Sequence, residues 1–393
     1  MEIIVKAWLN GKMATAGKLR WSGSRIEFWY HREFLECGYA LDPINLPLND
    51  NIFDAAHHLQ GALGVFGDAL PDAWNNYVLT QLHKRLFSDR EKLLADTSPQ
   101  RLGAMQFFSD STSIETPRYH ELEWLERVAV WITGSDHSEP LPELELGSSA
   151  GGAKPKTLIR RHGEEWLAKF PVRDEIIPAP WLEHGAMSLA AACGVSTAQT
   201  RVIMLNNAEK TPVILVKRFD RSGSDRLQML SAHTLCGVLK NEQGSVVNDY
   251  RSYLRLADRL AMIAEADPLD RRELFRRAVF NILITNHDDH ARNHVVVRSM
   301  DGKWRLSPAF DLVPGSGNRR DLAMIIGQYG NEASVRNLLS KCEHFALSRD
   351  EAAAIVQQLL EVLQGWRQIF AHAGVPERWI NDIAWAVRGD IDV

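Results

Sequence analysis

Runs rich in β-branched and aromatic residues at Ile3–Trp8 and Ile26–Tyr30 predict short strands in a turn-rich stretch from Met1 to about Leu48, with turns such as Ser22-Gly23-Ser24. The period then changes. Between Ala55 and Leu94 the pattern is helical. Trp74, Tyr77, Val78, Leu82 and Leu86 recur close to every 3.6 residues, predicting a helix over Ala73–Leu86 that Asp72 can cap. Leu102–Phe108 reads as a strand and His120–Thr133 as a short amphipathic helix. Ser135–Glu145, polar and holding Pro140 and Pro142, reads as a linker or exposed loop. A Gly/Ser-rich loop follows, then strands near Thr157–Arg161 and Trp166–Phe170, a helix over Trp181–Cys193, and strands at Arg201–Met204 and Val213–Phe219. From about Ser231 the pattern is mostly helical to the end, interrupted near Val295–Leu306 by a hairpin whose turn is Met300-Asp301-Gly302-Lys303.

This order predicts an α+β chain in three parts: a mixed N-terminal subdomain (1–135), a β-rich lobe with one helix (136–220) and a largely helical C-terminal lobe (221–393). A length of 393 residues suits about two domains or a few linked lobes. A net charge of −5 argues against a free-standing DNA binder, so contacts to DNA would come through a partner. Cys37, Cys193, Cys236 and Cys342 are far apart with no CxxC pair, which disfavours a zinc site or disulfide scaffold and fits reduced thiols in the cytoplasm. The start of the chain lacks a signal-peptide apolar region, and no window of about 18 apolar residues exists, so neither secretion nor a membrane partner is expected.

The candidate chemistry lies in Asn286-His287-Asp288-Asp289-His290-Ala291-Arg292-Asn293, which follows the apolar run Ala278–Ile284. Asp288 and Asn293 have the Asp-x-x-x-x-Asn spacing of a kinase catalytic loop, where the carboxylate accepts a hydroxyl proton and the amide oxygen holds Mg²⁺. Asp289 to Asn293 spans only four, which favours Asp288 without proving the register. The hairpin then carries the chain into Ser307-Pro308-Ala309-Phe310-Asp311-Leu312-Val313, placing Asp311 where a second Mg²⁺ carboxylate would stand. Read without context, the first motif is a polar loop, Asp311 caps a turn, and the two histidines, three apart, lack an obvious third metal ligand.

Upstream, Gly147–Lys156 is Gly-rich and leads into a strand, so backbone N–H groups could approach phosphate; as plain composition it is a flexible linker. It misses the P-loop pattern because Ala153 stands where the lysine should be and a strand follows. Lys169 sits among apolar residues on a strand and needs a partner or an anion; Glu183 on the next helix is the candidate, and it reads equally well as a solvated charge. Lys217-Arg218-Phe219 ends an apolar strand.

The strings SSAGGAKPK, KRFDR, NHDDHARN and SPAFDLVP resemble the signatures of the HipA family, and GVFGDALPDAW with SPQRLGAMQF resembles that family's N-terminal region. The resemblance implies a protein-kinase-like bilobal fold and an ATP- and Mg²⁺-dependent toxin kinase acting on Ser/Thr of a protein, an aminoacyl-tRNA synthetase among the candidates. It also implies a small DNA-binding HipB-like antitoxin as partner. By motif, Asp288 would be the base, and Asn293 and Asp311 the metal ligands. Gly151, Gly152, Ala153, Lys154, Pro155 and Lys156 would cover the phosphates, with Lys169 on the nucleotide. Lys217, Arg218 and Phe219 would hold adenine; His290, Ala291, Arg292 and Asn293, with Phe310, Asp311, Leu312 and Val313, would border the nucleotide. Ser149, or its neighbour Ser148, would be autophosphorylated, adding about −1.5 to −2 charge beside the ATP phosphates. Two other readings stay open: a small-molecule phosphotransferase, and an inactive kinase-like subunit of a DNA-bound antitoxin complex.

Overall fold

A computed structural model describes residues 2–22, 25–54, 64–95, 101–109, 154–172, 175–207, 210–237, 239–240, 246–247, 251–265, 267–315 and 319–388. The expected helix over His120–Thr133, the linker over Ser135–Glu145 and most of the Gly-rich loop lie outside these residues. The chain divides into two compact units. One comprises Met1–Leu167, Arg218–Asn248 and Val295–Lys303; the other comprises Ala168–Lys217, Asp249–His294 and Trp304–Val393. These units do not follow the expected boundaries. Residues 136–220 are shared between them, and 218–248 join the N-terminal residues, because packing and not chain order defines a compact unit.

The first unit is built on a five-stranded antiparallel sheet with strands in the order Phe53–Asp54, Arg25–Tyr30, Lys12–Ser22, Glu2–Leu9 and Met105–Phe108. Ile3, Val5 and Ala7 alternate onto the buried face, as a strand's period of two requires. Phe28 packs on Phe66 (centroids 5.0 Å apart), and Phe66 on Phe107 (6.2 Å). The carboxylate of Asp72 accepts from the Asn75 amide at 2.8 Å and caps a helix over Ala73–His83. That helix stops short of the expected Leu86.

A buried ionic cluster explains why 218–231 belongs here. The Arg218 guanidinium grips Asp220 through Nε (2.9 Å) and Nη2 (2.7 Å) and reaches Glu165 at 2.9 Å. Arg221 pairs with Asp220 at 2.8 Å, and the Asp220 carboxylate accepts from the Gly103 amide at 2.7 Å. Burial alone would raise the Asp220 pKa, but Arg218 and Arg221 hold it well below the usual carboxylate range.

The second unit carries a helix over Ala179–Ala192 beside the antiparallel strands Thr200–Met204 and Pro212–Lys217, which ends two residues before the expected Phe219. At Gly185 a Cβ would lie 2.4 Å from the Phe370 ring, so only glycine lets the Trp366–His372 helix approach this closely. The helices Tyr253–Ile263 and Arg349–Leu363 bury one face each, and Leu269–Leu283 is buried on all sides from Arg277 to Leu283. Ser252, Ser334 and Ser348 cap helices, Ser348 in a reciprocal capping box with Glu351. The expectation of mostly helix to the end fails over 309–315 and 319–334. Pro308, Pro314, Gly315, Gly327 and Gly330 interrupt helix formation, and residues 319–334 form irregular turns and isolated bridges, bonding Leu322 to Asn331 (2.8 Å) and Ile326 to Gly330 (3.0 Å).

Candidate active site

Within the second unit one helix organises the candidate site. Asp270, Glu273, Arg277 and Asn281 recur at helical spacing along Leu269–Leu283. The carboxylate of Asp270 accepts from the Leu306 amide at 3.1 Å, and Arg277 donates to the Ser307 carbonyl at 2.5 Å and to Glu273 at 3.0 Å. Glu273 in turn accepts from the Ser196 amide at 3.0 Å. The chain leading to Asp311 is thereby clamped to the helix that leads to Asp288. Ala309 completes the clamp: its amide donates to Ser196 (2.7 Å) and its carbonyl accepts from Ala198 (2.8 Å).

Two residues here sit in the left-handed region without being glycine. Asp311 has φ +59°, a conformation that Asp tolerates better than most. Thr285 has φ +52°, which is unfavourable for a β-branched residue. Thr285 is held there by a bond from its hydroxyl to the Ala386 carbonyl (3.2 Å) and by Gly315, where a Cβ would lie 2.0 Å from the Thr285 oxygen. The turn over 285–287 therefore delivers Asp288 at a sharply defined point.

The loop separates its two aspartates by burial. Asp289 is 1% exposed and accepts from the Tyr253 hydroxyl and from His294 Nε2 at 3.0 Å. Asn281 donates to the Tyr253 oxygen at 3.1 Å and accepts from Asn286 at 3.0 Å, closing a buried polar network. Burial pushes the Tyr253 pKa well above 10, with the Asp289 charge adding to it, so Tyr253 remains a donor. Asp288 is exposed. Its carbonyl accepts from the His290 amide (2.8 Å) and from Asn293 Nδ2 (3.3 Å), so the Asn293 amide group presents its oxygen as the remaining acceptor. Asn293 and Ala291 are buried, His290 is half-buried and Arg292 is exposed.

Lys169 Nζ lies 2.7 Å from Glu183 Oε1 and 2.8 Å from Asp311 Oδ1. The three side chains are 12%, 5% and 30% exposed, so this is a largely dehydrated triad with one more negative than positive charge. Burial alone would lower the lysine pKa, but the two carboxylates raise it above the ordinary lysine range, so Lys169 stays cationic. The surplus negative charge and the hard oxygen donors of Asp311 and Asn293 suit Mg²⁺. No cluster of three or more His, Cys, Asp or Glu side chains suited to a metal occurs among the described residues. Leu312 is buried, and Phe310 and Val313 are half-buried beside Asp311.

In the first unit, Lys156 pairs with Asp72 at 2.6 Å, both side chains being almost fully buried, and its carbonyl accepts from Trp74 Nε1 at 3.1 Å. Two side chains of the LPDAW string thus hold the base of the Gly-rich segment. Pro155 is buried and Lys154 exposed; Ser148, Ser149, Gly151, Gly152 and Ala153 lie outside the described residues. Arg218 is engaged in the ionic cluster, and the Lys217 and Arg218 amides already donate to Gln199 (2.8 Å) and Glu165 (3.0 Å). Phe219 is half-buried. Sequence reasoning missed Tyr253, Glu273, Arg277 and Thr285. The polar residues at helical spacing along Leu269–Leu283 were the available signal for Arg277 and Glu273; Thr285 and Tyr253 left none.

The fold that carries this arrangement is an α+β, protein-kinase-like one. The chain matches the HipA protein of Shewanella oneidensis, solved in complex with HipB and operator DNA, at a TM-score of 0.70 and 18% identity, covering 97% of this chain and 94% of that one. The chain belongs to the HipA family: residues 148–366 match the HipA-like C-terminal domain, and residues 5–108 match the HipA N-terminal domain. Among curated relatives, "Putative kinase Y4dM" of Sinorhizobium fredii is 26% identical over 200 residues, covering 49% of this chain and 45% of the relative. A "Putative kinase" of Haemophilus influenzae is 22% identical over 187 residues, covering 44% and 54%. The chain thus spans about half the length of the curated relatives it matches. No helix among the described residues is long and apolar enough to cross a membrane.

Proposed function

We propose that this chain is an ATP-dependent serine/threonine protein kinase of the HipA toxin type. The observation that carries the reading is Lys169 shared between Glu183 (2.7 Å) and Asp311 (2.8 Å), in the same unit as the exposed Asp288. Asp288 accepts the proton of the acceptor hydroxyl, and its exposure lets a protein side chain reach it. Lys169, kept cationic by its two carboxylates, orients the nucleotide phosphates. Asn293 and Asp311 are the Mg²⁺ ligands, and the ion when bound offsets phosphate charge. His290 to Asn293 and Phe310 to Val313 border the nucleotide, Gly151 to Lys156 cover the phosphates, and the main chain of Lys217 to Phe219 meets adenine. Ser149 or Ser148 takes the phosphate in self-inactivation.

The protein acceptor is a serine or threonine protein, with an aminoacyl-tRNA synthetase as the first candidate. A small DNA-binding HipB-like antitoxin is the proposed partner, through which any DNA contact is made, and the cytoplasm the proposed compartment. The wide spacing of Cys37, Cys193, Cys236 and Cys342, with no CxxC pair, supports a reducing compartment.

Intact-mass spectrometry after incubation with Mg²⁺ and ATP, wild type beside Asp288→Asn, tests the reading. One added phosphate on Ser149 or Ser148 in the wild type alone is expected. Equal phosphate incorporation in both proteins would remove Asp288 from its role.

A further inference from the structure

A cleft of about 880 Å³, lined by Arg320, Glu332, Ala333, Ser334 and Arg388, opens in the unit that carries Asp288. Its walls are fastened to the residues leading into Asp288. The Arg388 amide donates to the Leu283 carbonyl at 2.7 Å, and two residues earlier the Ala386 carbonyl accepts from Thr285. On the other wall the Arg320 carbonyl accepts from the Ala333 amide at 2.8 Å, and the next carbonyl, Asp321, bonds His287 Nδ1 at 2.8 Å. The two arginines therefore stand on segments that brace 283–287 from both sides, and the following residue is the exposed aspartate.

Among the described residues the charges lining the cleft are unbalanced. The Glu332 carboxylate accepts from the Ser334 hydroxyl at 2.7 Å, while neither the Arg320 nor the Arg388 guanidinium forms an ion pair among the described residues. We infer that this cleft receives a carboxylate-bearing segment of the acceptor protein, flanking the hydroxyl presented to Asp288; the inference rests on the kinase reading. A guanidinium offers a planar fork of donors that matches a carboxylate. An excess of one positive charge, on a chain of net charge −5, is too little for a nucleic-acid backbone, whose binding needs many cations.

The test is fluorescence anisotropy on the full chain with a labelled peptide carrying one serine among glutamates, its lysine counterpart and a single-stranded oligonucleotide. Wild type is compared with Arg320→Gln, Arg388→Gln and the double variant. The substitutions keep the backbone bonds that the walls use, and matching thermal denaturation confirms an intact fold. The glutamate peptide is expected to bind the wild type best, to bind the double variant at least tenfold more weakly, and to weaken with salt. Equal affinity for wild type and double variant, or preference for the lysine peptide or the oligonucleotide, would overturn the inference. ATP binding and phosphate transfer to the peptide are read separately. A chain that binds the acidic peptide through these arginines but neither binds ATP nor transfers phosphate retains the cleft and loses the kinase reading.

Discussion

Replacing Asp288 and Asp289 in turn by asparagine tests whether the proposed chemistry and the folding role fall on adjacent positions. Asp289 is 1% exposed and takes hydrogen bonds from Tyr253 and His294. Hydrogen bonds to a charged group contribute about 1.5–3 kcal/mol each. In Asp289→Asn one oxygen survives as an acceptor, while the new NH₂ faces a donor. The expected loss is about 2–4 kcal/mol, since a buried donor is left without its acceptor. For a cooperative unit of about 150–250 residues, 1 kcal/mol moves Tm by about 2–4 °C, so a drop of roughly 4–16 °C is expected. Asp288 is exposed, and its side chain makes no hydrogen bond among the described residues, so Asp288→Asn should change stability by less than about 0.5 kcal/mol. It should instead slow phosphate transfer by about 10²–10⁴-fold, the usual contribution of a general base. Differential scanning fluorimetry and a radiolabelled ATP transfer assay on the same preparations read both quantities. A large Tm loss in Asp288→Asn with transfer retained, and the converse in Asp289→Asn, would refute the assignment and move the base one residue along.

Three further perturbations probe other parts of the structure. Gly315→Ala places a Cβ 2.0 Å from the Thr285 oxygen and 2.8 Å from the His287 ring, so a loss of about 2–4 kcal/mol is expected in urea denaturation; a neutral result would show that the 285–287 turn is not held by this contact. The raised Lys169 pKa means its ion-pair stabilisation is complete below the ordinary lysine value of 10.5 and lost only as pH rises past it. ATP affinity should therefore show no lysine titration from pH 7 to 9.5, and an inflection in that range absent from Lys169→Met would contradict the triad. The depressed Asp220 pKa has the opposite sign: its contribution is present above the ordinary value of 3.8 and lost as pH falls below it. Asp220→Asn should thus flatten the acid arm of the stability profile, and an unchanged acid arm would mean that the Arg218–Asp220–Arg221 cluster contributes nothing.

Much of the local structure was legible before any coordinates. Strands at 2–9, 25–30 and 200–204, the helix over 179–192 and the Asp72 cap follow from periodicity and capping chemistry, which act over a few residues. The same holds for the Asp-Gly turn, where Gly302 adopts φ +87°. Partner choice was not legible. Glu183 read equally well as a solvated charge until the fold brought Lys169 within 2.7 Å. Arg218, a basic strand end in the sequence, is a buried clamp on Asp220 and Glu165, and Lys156 of the Gly-rich string pairs with an aspartate 84 positions away. The spacing of the loop favoured Asp288 over its neighbour Asp289 without proving the register. Only the tertiary structure shows that Asp289 is buried and hydrogen-bonded while Asp288 is exposed, because that difference depends on Tyr253 and His294, whose approach to Asp289 is set by long-range packing and leaves no local periodicity to read.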